Sequence, residues 1–178
     1  MATQVIVLNG VSSAGKTSLA RALQRRLPDP WLTFGVDSLI AAMPPQLDGS
    51  PDGLMIYADG RVTVGPAWEA LEDDWRRGLG AMARAGVRLV IDEVMFGGAQ
   101  AQARWNKALA GLSVLWVAVN CDPAEMARRE AARGDRVAGM SALQIGIVHP
   151  GVVYDLEIDT SALSPEACAG LVVERLLA

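Results

Sequence analysis

Two kinds of apolar pattern alternate along the chain. Unbroken, β-branched runs recur at Val5-Ile6-Val7-Leu8, Trp31 to Val36, Val87 to Ile91 and Val114 to Val119, and Val152 to Asp159 alternates over its last part. Such runs predict five strands, with Val114 to Val119 the central one because it is apolar throughout. Between them the apolar residues recur every three or four positions, as in Leu19, Leu23 and Leu27, then Trp68, Leu71, Trp75, Leu79 and Met82. That spacing predicts helices with one buried stripe. Their ends are marked: Pro66 opens one helix and Gly86 closes it, Asp122-Pro123 opens another, and Ser164-Pro165 opens the last. Strands separated by helices give an α/β fold, a parallel five-stranded sheet flanked by helices, within a single domain spanning 1–178.

One stretch breaks the alternation. Residues 44–65 hold Pro, Gly and Asp without a helical period, and Asp59-Gly60 stands between two apolar runs, Leu54 to Ala58 and Arg61 to Val64. This predicts a small inserted hairpin. It is either the wall of a pocket or an ordinary surface excursion, and the pattern alone leaves both open.

The loop after the first strand carries the clearest chemistry. Gly10-Val11-Ser12-Ser13-Ala14-Gly15-Lys16-Thr17, followed by Ser18, fits the phosphate-binding pattern at every fixed position, between a strand and a helix. Glycines let the backbone turn and bring Ser12, Ser13 and Ala14 amides close to phosphates, and the helix N-terminus adds its dipole. Lys16 meets the β- and γ-phosphates of ATP, and the Thr17 hydroxyl is suited to Mg²⁺. Of sixteen Lys plus Arg, only Lys16 and Lys107 are lysines. A chain that otherwise uses Arg has put a flexible point charge at the loop.

Three further positions extend that reading. Asp92 ends an apolar strand, as a metal-side carboxylate does in phosphate-loop enzymes. Asp37 follows the second strand, at the sheet edge where ligands bind; it reads as a helix N-cap, as a base for a hydroxyl nucleophile, or as both. Arg133 and Arg136 flank Gly134 at the end of a charged helix. They read as a helical lid, about 122–149, that closes over the transferring phosphoryl group, or as a solvated helix end. The sole histidine, His149, reads as structural.

Composition narrows the class. The chain has 178 residues, 51% hydrophobic and 20% charged, which suits a globular domain. A net charge of −4 gives no basic face for nucleic acid. No apolar run reaches membrane-spanning length, and no export signal is visible at the N-terminus, so the cytoplasm is the expected location. Cys121 and Cys168 read as buried thiols. With little chain beyond a nucleotide-binding core, a small-molecule kinase is favoured over a motor or switch. The sequence leaves homo-oligomerisation open.

Longer stretches support a resemblance. Leu8 through Ser18, Trp31 to Pro44 (WLTFGVDSLIAAMP), Val90 to Glu93, Ala132 to Met140 (ARGDRVAGM) and His149 through Thr160 resemble chloramphenicol phosphotransferase, nearly end to end. The resemblance implies a P-loop kinase that uses ATP to phosphorylate a primary hydroxyl of chloramphenicol, inactivating the antibiotic. It implies that Asp37 is the general base, Gly10 to Thr17 the phosphate loop, and Arg133 and Arg136 the lid arginines. Glu93 stands where the family pattern leads one to expect a second Asp. A kinase of another small metabolite and a nucleotide-dependent switch are the alternatives.

Overall fold

A computed structural model describes residues 3–133 and 139–178, with seven strands and seven α-helices among them. Five strands form one parallel sheet: β1 (Val5–Asn9), β2 (Trp31–Gly35), β5 (Arg88–Glu93), β6 (Val114–Asn120) and β7 (Leu156–Asp159), in the order β2-β5-β1-β6-β7. The middle strand is β1, wholly buried, not the expected Val114 to Val119 run. That run, β6, is the next strand out; it is apolar throughout because it too has a neighbour on each edge and helices on both faces.

The two faces follow from strand alternation. Ile6 and Leu8 point to one side, against α1 (Lys16–Arg26) and α7 (Pro165–Leu177) through Leu19, Leu23, Cys168 and Val172. Val5 and Val7 point to the other, against α3 (Pro66–Arg84) and α4 (Ala99–Ala108) through Leu79, Ala83, Ala101 and Trp105. Each such side chain taken fully out of water contributes roughly 1.5–3 kcal/mol.

The expected hairpin is present as β3 (Leu54–Ile56) paired antiparallel with β4 (Val62–Val64). It does not lie loose on the surface. Leu54 is buried with Trp68 of α3 and Leu39 of α2 (Val36–Ala42) in a small separate core.

Several boundaries differ from the sequence reading, for local reasons. Helix α2 starts directly after β2, so Asp37 lies in its first turn and Gly35 takes the cap position. Strand β7 begins at Leu156, because before it side chains stand in for part of the backbone ladder. Val153 exchanges hydrogen bonds with the Gln102 side chain, and Asp155 exchanges them with the Trp116 backbone. The stripe of α3 buries Arg76 beside Trp68 and Leu79, whereas Trp75 and Met82 are only half-buried. After α5 (Pro123–Arg133), helix α6 (Met140–Val148) is one the apolar pattern did not resolve, since Met-Ser-Ala-Leu-Gln-Ile-Gly-Ile-Val has no clean polar face. Among the described residues no helix is long and apolar enough to cross a membrane.

Candidate active site

The loop sits at the carboxyl end of β1, where a parallel sheet presents its ligand edge. Gly10 packs so closely on β6 that a Cβ would collide with the Val119 carbonyl. Ser13 (φ 61°) and Gly15 (φ 92°) both adopt left-handed backbone, which curls the loop ahead of α1. The Ser13 hydroxyl is buried there and has no hydrogen-bond partner. An orphaned polar atom inside a ring of backbone amides fits a phosphate.

Lys16 is the first residue of α1 and is 6% exposed. Its Nζ donates to the Val11 carbonyl (2.9 Å), across the loop, and lies 3.8 Å from Asp92 Oδ1. The Thr17 hydroxyl donates to Asp92 Oδ2 at 2.6 Å. Sequence-distant Lys16, Thr17 and Asp92 are thus brought together, as expected.

Strand register brings Asp37 to the same edge. Gly35 pairs with Asp92, and Leu8 of β1 pairs with Asp92 from the other side. A Cβ at Gly35 would collide with the Asp92 carbonyl, so glycine lets β2 close on β5 where α2 begins. Asp37 and Asp92 then line one cavity of about 780 Å³ together with Lys16 and Thr17. The same cavity has apolar lining from Ile56, Val62 and Val64 of the hairpin with Trp68 and Phe96. The hairpin is therefore a pocket wall.

Of the two lid arginines, Arg136 and the Arg133 side chain lie outside the described residues. The described ends of that segment are firmly tied. Glu130 is buried, and its carboxylate accepts from the Gly139 and Ser141 amides, joining α5 to the start of α6.

Four functional candidates escaped the sequence reading. The Asn9 amide group donates to the Val148 carbonyl and the Tyr154 hydroxyl, and its oxygen accepts from the Met95 amide. His149 meets the same Tyr154 hydroxyl at 2.7 Å, and burial holds its pKa below the ordinary value. Burial also pushes the Tyr154 phenol up to about 12. Gln144 of α6 accepts from the Ser12 amide (2.6 Å), tying α6 to the loop; a lone amide in an apolar helix was its only signal. Arg129 donates to the Thr160 carbonyl and hydroxyl, while that hydroxyl donates to the Ala14 carbonyl. Beside it, Glu125 is held down to about 2 by the Arg128 and Arg129 guanidiniums. The fourth is Glu72, which lines the apolar part of the cavity.

Alternation turns Glu93 away from Asp92 into a fully closed environment. Burial first, then the nearby Glu72 charge, pushes its carboxyl up to about 8 despite the opposing Arg76. Glu93 accordingly keeps its proton to a higher pH than an ordinary carboxyl, and Asp92 is the strand's acid toward the loop.

Comparison with known proteins agrees with this layout. The sequence profile described as "Chloramphenicol phosphotransferase-like protein" matches residues 3–177. A Mycobacterium tuberculosis protein named "Putative O-phosphotransferase Rv2636" is 33% identical over 175 residues, covering 89% of this chain and 76% of the relative. The fold is similar to that of a sugar kinase from Janibacter sp. (TM-score 0.71, 16% identity, 98% of this chain and 94% of that one). It is similar too to the M. tuberculosis APS kinase CysC solved with AMPPNP and APS (TM-score 0.68, 18% identity, 99% of each chain).

Proposed function

The chain belongs to the chloramphenicol phosphotransferase-like family, and from that premise we propose that it moves the γ-phosphoryl group of ATP to a hydroxyl of a small aromatic alcohol, chloramphenicol foremost. It is a small-molecule kinase of the P-loop type, as family and fold agree. The observation that carries the finer reading is one cavity shared by the phosphate loop, acidic side chains that include Asp37 and Asp92, and an apolar wall. A nucleotide's phosphates suit one part and an aromatic body suits the other.

The chain's own residues then divide the work. Loop amides, the start of α1 and Lys16 hold the β- and γ-phosphates. Asp37 accepts the proton as the acceptor's O–H bond breaks; the acceptor's oxygen bonds to the γ-phosphorus, and ADP leaves with the electrons of the broken P–O bond. Arg136, helped by Arg133, stabilises the charge on the transferring group from the 122–149 lid.

The residues present fit Mg²⁺. Thr17 Oγ1 and Asp92 Oδ2 lie 2.6 Å apart beside Lys16. Mg²⁺ keeps waters and phosphate oxygens as ligands and needs few from the protein. Thr17 and Asp92 would hold it, and when bound it neutralises charge on the phosphate oxygens.

The test is ADP production from ATP with and without chloramphenicol, with the alcohol recovered afterwards. A kinase releases ADP in step with phosphorylated alcohol. ADP and inorganic phosphate alone, unaffected by any alcohol, would favour a nucleotide-driven switch. Stimulation by other alcohols but not by chloramphenicol would move the acceptor to another metabolite.

A further inference from the structure

The apolar part of the cavity contains one charged side chain from the hairpin or α3, namely Glu72. Its position follows from helical spacing: Trp68, Glu72 and Arg76 are four apart and share a face. Arg76 is 3% exposed, and it clamps Glu72 Oε2 with Nη2 at 2.6 Å and Asp73 Oδ1 with Nη1 at 2.6 Å. Arg76 also lies over the Trp105 ring, 5.8 Å from its centre. A buried guanidinium that bridges two carboxylates in this way holds the Glu72 side chain in place.

Only one Glu72 oxygen is used in this way. Oε1 has no hydrogen bond among the described residues, and the side chain retains 24% exposure. Glu72 and Arg76 also border a smaller cavity behind it, where the Arg76 Nε is buried without a partner. A carboxylate oxygen without a protein partner, at the border of an apolar wall, is open to a donor on a bound acceptor, and pairs with it more strongly than a neutral group would.

Resting on the kinase reading above, we propose that Glu72 orients the acceptor by taking a hydrogen bond from a second donor on it, an N–H or O–H apart from the hydroxyl that is phosphorylated. The acceptor class is therefore an uncharged or cationic aromatic alcohol with at least two donors. A carboxylate-bearing acceptor is repelled at this wall. Arg76 is a positioning residue that acts through Glu72.

The experiment compares phosphoryl transfer to two probes: phenylpropanol, with one terminal hydroxyl, and the matching diol with an added benzylic hydroxyl. Wild type is expected to favour the diol in kcat/KM by about tenfold or more, the usual scale for a hydrogen bond to a charged group. Glu72→Met should bring that ratio near one. Glu72→Gln, which keeps an accepting oxygen, should fall between. ATP affinity, followed by titration, reports whether each variant is folded. No preference in wild type, or an unchanged ratio in folded Glu72→Met, overturns the assignment while leaving the kinase intact. If Glu72→Met no longer binds ATP, Glu72→Gln decides, and an unchanged ratio there overturns it. Transfer to neither alcohol by wild type would sink the aromatic-alcohol reading itself, and this assignment with it.

Discussion

At the scale of residues, neighbouring acids have been given opposite duties. Asp92 faces the loop and touches Thr17, whereas Glu93 points into the closed space beside Glu72 and Arg76. The expected consequence for Glu93 is a pH-dependent stability. In the unfolded chain its carboxyl ionises near 4.5, while in the folded protein it keeps its proton up to about 8. Between those values the folded state binds more protons than the unfolded state, so this group's contribution to stability is lost as pH rises. Urea denaturation of the nucleotide-free protein across that window should show a decline that Glu93→Gln flattens; a variant as steep as wild type would refute it. For Asp37, replacement by Asn should leave ATP affinity nearly intact and slow phosphoryl transfer by about 10²–10⁴-fold, the range for a lost general base. Single-turnover transfer checks this, and unchanged turnover would remove Asp37 from the mechanism.

At the scale of elements, the site is assembled by strand ends that register holds level. Gly35 against Asp92 is the tightest point. Gly35→Ala should push β2 and α2 off β5, lowering kcat more than ATP affinity, because the loop is anchored on β1 and not on β2. Equal losses in both would contradict that division. Asn9 is the second joint, since it ties the end of β1 to the end of α6, to Tyr154 and to the Met95 amide. Asn9→Ala leaves buried groups unpaired and should cost about 1–3 kcal/mol, read as a drop in thermal midpoint of several degrees. The strands, their parallel pairing and the loop were legible in the sequence because each is written locally, in runs of apolar residues or in a fixed spacing; which strand is central was not, since β1 and β6 are both apolar. Asn9, Gln144 and Glu72 were not. Their partners or surroundings come from remote segments: Gln144 meets Ser12 across the fold, and Glu72 gains its meaning from a hairpin that closes against α3. Helix α6 was hidden for a different reason, since a segment covered on several sides has no polar face to reveal its period.

At the scale of the whole molecule, the sheet supplies a rigid edge and the excursions supply specificity. The core on the α1 and α7 side of β1 takes in Val11 and Ala14 of the loop, so the loop is held by packed side chains. The hairpin, α2 and the start of α3 form a smaller core of their own around Leu39, Leu54 and Trp68. On the proposed function, the hairpin's side of the cavity is where acceptor choice is expected to lie, apart from the loop that holds the phosphates. The account turns on one reaction, and mass spectrometry of chloramphenicol incubated with the protein, ATP and Mg²⁺ tests it most directly. The account predicts a product heavier by one phosphoryl group, formed in step with ADP and absent with Asp37→Asn. Unmodified chloramphenicol, in the presence of protein that demonstrably binds ATP, would contradict it.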